Sequence, residues 1–234
     1  MTTIGIIGSG HVGSNLAQAA IAHGYDVVLS NSQGPDSLAG LVSDLGPRAS
    51  AATPAQAAAA GDFAIVAIPI TTIDQVPVEP LAGKVVIATI NYFPQRLGHI
   101  PEIDNGTTTA PGLLQAHLPA SRVVRAFSMI NAGEMSGDGH PEGDPKRRAL
   151  ALAGDDPAAK QLVVNLYSEF GFDALDIGGL DESWRLDAGQ PAFVTRQDLA
   201  ELKANVARAK RPALARSVPA KGGGHDDGKG VERG

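Results

Sequence analysis

The residues whose spacing carries most chemistry are Gly8, Gly10 and Gly13, in the stretch IGIIGSGHVGSN from Ile4 to Asn15. A Gly-x-Gly-x-x-Gly spacing between a short apolar run and an alanine-rich run reads as strand, tight turn and helix. Gly8 permits the turn. Gly10, with no side chain, lets a pyrophosphate approach the backbone. Gly13 lets the helix pack close to the sheet. Ser9, His11 and Val12 complete the turn. The helix start presents free N–H groups and the positive dipole end to an anion. A glycine turn without a ligand is the competing reading, and the strand and helix on either side favour a dinucleotide.

The end of the second strand selects between the two nicotinamide dinucleotides. A carboxylate there would bind the ribose hydroxyls and repel a 2′-phosphate. This chain has Ser30-Asn31-Ser32-Gln33, with no carboxylate. Hydroxyls and amides can donate to a phosphate, which leans towards NADP, although no arginine follows. Ligands of this architecture sit at the carboxyl ends of strands. Those ends carry Ile68-Pro69-Ile70, Ile90-Asn91-Tyr92 and Phe127-Ser128-Met129-Ile130.

Acid–base candidates are few. His11 lies inside the glycine turn, within reach of phosphate or nicotinamide or simply exposed. His99, His117 and His140 read as surface or packing residues, and the Tyr92 and Ser128 hydroxyls as strand-end hydrogen bonds. No catalytic triad order, HExxH or paired-carboxylate spacing stands out, so no catalytic residue is assigned. Gly154-Asp155-Asp156 reads as a strand-to-helix turn with an aspartate cap, and no metal site is assigned. Hydride transfer between two flat cofactors needs alignment and exclusion of water more than a protein acid.

Around these residues the chain alternates strands and helices. Strands are expected at 3–7, 26–30, 63–69, 84–90, 122–127, 149–154 and 172–178. Helices are expected at 12–23, 36–46, after Thr53-Pro54, at 110–118, at 156–171 and at 196–210, the last capped by Thr195 with Asp198 at its third position. This is an α/β chain: a Rossmann-type doubly wound parallel sheet with a small C-terminal α/β extension. We divide it into a dinucleotide-binding domain at 1–136, a smaller acceptor-side region at 137–211 and a low-complexity tail at 212–234, expected to be disordered.

Composition limits the rest. The 234 residues are 43% hydrophobic with a formal net charge of −6 and no basic face, which disfavours nucleic acid and anionic membrane as partners. With no cysteine, disulfides, thiolate metal sites and a cysteine nucleophile are excluded. No signal-peptide or membrane-span pattern occurs, so a cytoplasmic location is expected.

Six segments together resemble the coenzyme F-420-dependent NADP oxidoreductases, in the order seen in that family. They are IGIIGSGHVG, DVVLSNSQGP, DFAIVAIPI, LAGKVVIATINYFPQ, SRVVRAFSMINA and LAGDDPAAKQLVVNLYSEFGFDALDIGGL. The resemblance runs from Met1 to about Gln190. It implies an NADPH-binding Rossmann domain, a smaller C-terminal part and a deazaflavin in the cleft between them. It also implies NADP contacts at Ser9, Gly10, His11, Val12, Asn31, Ser32, Ile70 and Ala132. Where the family usually carries an arginine, this chain has Ser32 and Gln33. The function so implied is hydride transfer between NADP(H) and coenzyme F-420. A carbonyl, imine or metal-ion reductase on the same fold, and a dinucleotide sensor without catalysis, stay open. A homodimer is expected from the family and from the stripe Leu199, Leu202, Val206 and Ala209, which would equally suit packing on its own domain.

Overall fold

The computed structural model describes residues 1–211; the tail at 212–234 lies outside the described residues. The strands are β1 (Thr3–Ile7), β2 (Asp26–Ser30), β3 (Ala49–Ala51), β4 (Phe63–Val66), β5 (Val85–Ala88), β6 (Arg122–Arg125), β7 (Ala149–Gly154) and β8 (Asp173–Asp176). The α-helices are α1 (His11–Ala22), α2 (Ala39–Leu45), α3 (Pro54–Ala60), α4 (Pro94–Leu97), α5 (Pro101–Asp104), α6 (Ala110–His117), α7 (Pro157–Glu169) and α8 (Leu199–Ala207). All strands join one sheet of order β3-β2-β1-β4-β5-β6-β7-β8. Every pairing is parallel except β6 with β7, which meet antiparallel through Val124–Gly154 and Arg125–Ala153. This is the expected α/β Rossmann-type architecture, and the C-terminal extension continues the same sheet.

Alternation along the strands explains the two layers. Ile4, Ile6, Val27, Leu29, Phe63, Ile65, Val85 and Ile87 face one core, shared with α1, α7 and α8. Ile7, Ala64, Val66, Val86 and Ala88 face the other, shared with Leu114 of α6 and Ala58 of α3. A strand buried on both faces has no polar side, which is why β4 and β5 read as unbroken apolar runs.

Several local expectations hold. Thr53 caps α3 in a capping box with Gln56, and Pro54 stands at its first position. Asp156 caps α7, accepting from the Ala159 N–H at 2.7 Å. The differences have local causes. The run 63–69 is strand only to Val66, because Pro69 starts a 3-10 turn over Ile70–Gln75. β3 is three residues long and too polar to announce itself. The last helix starts at Leu199: its cap is Asp198, boxed with Glu201, and the Thr195 hydroxyl bonds carbonyls of its own loop. Leu202 is fully buried, and Leu199 and Val206 pack on the same core. That stripe is an intramolecular contact. Among the described residues, no helix is long and apolar enough to cross a membrane.

Candidate functional site

The strand order reverses between β1 and β4, and the glycine turn leaves β1 at that switch point. The Gly8 N–H donates to Ser30 O at 3.0 Å, tying the turn to the end of β2. Gly8 has φ +101°, and a Cβ there would lie 2.3 Å from Ala67 O. A Cβ on Gly13 would lie 1.9 Å from Gly8 O. Both glycines are therefore required by the protein's own backbone. Gly10 differs: a Cβ on it meets nothing within 4 Å. No side chain caps α1, and its first turn contains no acidic residue. The start of α1 thus has no side-chain cap for its free N–H groups.

The other sequence-predicted residues sit around this turn. Ser9 and Val12 are half-buried, and His11 is exposed, with its carbonyl accepting from Asn15 at 2.8 Å. Asn31 closes a turn at the end of β2: its Oδ1 accepts from the Gln33 N–H and its Nδ2 donates to Ser37 Oγ, both at 2.9 Å. Ser32 is exposed. Arg48, which β3 brings beside β2, pairs with Asp26 at the opposite end of that strand. The Asn31 turn thus has neither a carboxylate nor this arginine. Ile68 is half-buried beside Gly8, and the Pro69 carbonyl is taken by Thr72. Ile70 and Ala132 are buried, so what they offer a ligand is backbone. The segment Ala132–Glu134 packs against α1.

A second arrangement escaped the sequence reading. Arg125, at the end of β6, is wholly buried. Its Nε donates to Ser128 Oγ at 2.8 Å, and Nη1 donates to Ser183 O at 2.7 Å and Asp187 Oδ1 at 2.5 Å. Nη2 donates to Asn91 Oδ1 at 2.9 Å and Leu186 O at 3.1 Å. Five N–H donors thus meet five acceptors. Asn91 also donates to Ser128 O at 2.8 Å. One guanidinium joins the ends of β5 and β6 to the segment Leu180–Leu186. The available signal was an arginine closing an apolar strand, since arginine is almost never fully buried without partners. Beyond it, Phe127 adopts φ +54°, and its N–H donates to the buried Tyr167 hydroxyl at 2.9 Å. Burial raises the Tyr167 pKa, so that hydroxyl stays protonated and donates to Ala151 O.

The hydroxyl and imidazole candidates are occupied elsewhere. The Tyr92 hydroxyl donates to Asp104 and accepts from the Ile100 N–H. Its pKa is raised, first by burial and then, against the Ile100 N–H, by the Asp104 carboxylate. His99 bonds Asp104, His117 bonds Val76 O, and His140 faces Asp144. Among these groups, Asn91 and Ser128 lie at the strand ends, held by Arg125 as orienting groups.

Fold and site together define a Rossmann-type nucleotide-binding protein. Residues 3–92 match the family described as NADP oxidoreductase coenzyme F420-dependent. A hypothetical protein from Sinorhizobium meliloti has a similar structure, with TM-score 0.72 and 29% identity over 84% of this chain and 95% of its own. A protein from Arthrobacter sp., provisionally described as an F420-dependent NADP-reductase, gives TM-score 0.68 at 24% identity, covering 78% of this chain and 87% of its own. The rat metalloreductase STEAP3 is 28% identical over 188 residues, and the YjhV protein of Escherichia coli K12 is 36% identical over 81. This chain aligns with 36% and 59% of the lengths of those two relatives.

Proposed function

We propose that the protein is an NADP(H)-dependent oxidoreductase that moves a hydride between NADP(H) and an acceptor, the deazaflavin coenzyme F-420. The observation that carries the dinucleotide is the contrast within the glycine turn. Gly8 and Gly13 are glycines because backbone crowds them, while Gly10 is open towards the uncapped start of α1. Open space at that position is what a pyrophosphate needs. Neutral Asn31 and Ser32 support NADP over NAD. In this reading residues 1–136 hold the dinucleotide, and 137–211 close the acceptor side through the Arg125 bonds to Ser183, Leu186 and Asp187.

For the acceptor, the family match supports F-420. The orienting groups Asn91 and Ser128, in place of a free acid, suit hydride transfer between two aligned ring systems. The test mixes the purified protein with NADPH and oxidised F-420 and follows the deazaflavin absorbance. Loss of absorbance with matching NADPH oxidation is the expected result. Bound NADPH with unchanged absorbance removes F-420 as acceptor; failure of NADPH to bind removes the whole reading.

A further inference from the structure

Asp187, one partner of Arg125, also walls a cavity of about 420 Å³, within the range of small-molecule sites. Its walls include Tyr92, Asp104, Asp181, Trp184, Asp187 and Arg211.

Its charges are unequal. Asp187 is balanced by the buried Arg125. Asp104 is held by the Tyr92 hydroxyl and by His99, neither of them a permanent cation. Asp181 makes no ion pair among the described residues. Among the described residues, the lone cation on the lining with a permanent charge is Arg211. Its guanidinium lies over the Trp184 ring, 5.3 Å from the centroid, and Nη2 reaches towards Asp181 O at 3.5 Å. Arg185, paired with Glu182, lies over the same ring 4.5 Å from its centroid, so the indole already carries two of the chain's own planar cations, and Arg211 is the one on the cavity lining. The Trp184 indole N–H and the Ser183 hydroxyl, neighbours on the segment that walls the cavity, are buried without partners. Such groups are rare in native structures, and they mark this segment as adapted to something besides its own packing.

We infer that this cavity is a second ligand site, which binds a compact planar organic cation of the iminium or amidinium type. Trp184 offers the aromatic face, Asp181 and Asp104 supply the charge, and Arg211 occupies the berth when the ligand is absent. An anion of the same shape meets the Asp181 and Asp104 carboxylates, and a neutral one gains nothing from their charge. The site goes beyond the hydride-transfer reading and does not depend on which acceptor takes the hydride.

The chain has one tryptophan, so its fluorescence reports this cavity directly. The full-length protein is titrated with three flat probes of one shape: benzamidinium, benzamide and benzoate. Saturable change in Trp184 emission is expected with benzamidinium, at about tenfold tighter binding than either of the others. Asp181→Asn, at an exposed position, weakens benzamidinium about fivefold and leaves benzamide unchanged. Arg211→Ala tightens benzamidinium by vacating the place Arg211 holds over the ring, while Arg185 keeps its own. Benzoate or benzamide binding as tightly, no saturable change with benzamidinium, indifference to Asp181→Asn, or no tightening in Arg211→Ala each overturns the inference. NADPH fluorescence in the same samples reports the glycine turn separately, so loss of one reading is distinguishable from loss of the other.

Discussion

The glycine turn and the Arg125 cluster lie at the carboxyl ends of β1 and β6, parallel strands with β4 and β5 between them, and are built in opposite ways. The turn is backbone: residues 8–13, contiguous in the chain, shaped by what has no side chain. The cluster is side chain: Arg125 reaches Asn91, Ser128, Ser183, Leu186 and Asp187 across up to 62 residues of sequence. The turn offers unpaired donors to a ligand, whereas the cluster spends all its donors within the protein. The cluster therefore holds the sheet end and the C-terminal segment in register, and under the proposed function the turn is the part left to bind.

That division is open to attack, beginning where the effect is largest. Arg125→Met strands the Asp187 carboxylate and removes the clamp on Asn91, Ser128 and the C-terminal segment. It should cost about 3–5 kcal/mol in urea unfolding. If the regions are as separate as the contacts say, the folded fraction still binds NADPH. Gly13→Ala places a Cβ 1.9 Å from Gly8 O and should cost about 3 kcal/mol of stability, measured by the same melt. Gly10→Val is the counterpart: stability within about 0.5 kcal/mol of wild type, but NADPH affinity about a hundredfold lower by titration. Equal destabilisation by both glycine variants would erase the contrast within the turn.

A smaller effect is expected at Asn31→Asp. The new carboxylate can still accept from the Gln33 N–H, so the turn persists, while charge enters near a 2′-phosphate. The ratio of NADP to NAD affinity should fall about tenfold, and an unaltered ratio excludes Asn31 from cofactor choice. The smallest effect is at Glu134, beside Ala132. Partial burial pushes its pKa up, but hydrogen bonds from Arg148 and Asn131 outweigh that and hold it below the ordinary value of 4.5. A lowered folded pKa gives stability that is present above the ordinary value and lost as pH falls through the folded one. Glu134→Gln should flatten the stability curve between about pH 5 and 3 and leave its neutral plateau otherwise similar in shape.

Much of the fold was readable because its rules are local. β1, the glycine turn and α1 follow from contiguous residues, as do the caps at Thr53 and Asp156. β3 was not readable, because three weakly apolar residues become a strand only when β2 offers its edge. Thr195 was expected to cap the last helix with Asp198 at its third position, and the cap is instead Asp198, because Glu201 completes the box there. The stripe on α8 looked equally suited to a partner chain, and contact with the first core decided that it packs within its own chain.

The sequence by itself determined the alternation of strands and helices, the turn that exposes α1 to an anion, and the uncharged end of β2. Each depends on residues within a few positions of one another, where covalent geometry leaves few choices. Only the tertiary structure decided that β7 runs against β6, that Gly10 stands free while Gly8 and Gly13 are crowded, and that Arg125 is buried with five partners. These depend on which distant segments meet. A guanidinium can leave water only where every donor finds an acceptor, and those acceptors exist at one place only once the sheet and the segment Leu180–Leu186 have closed around it.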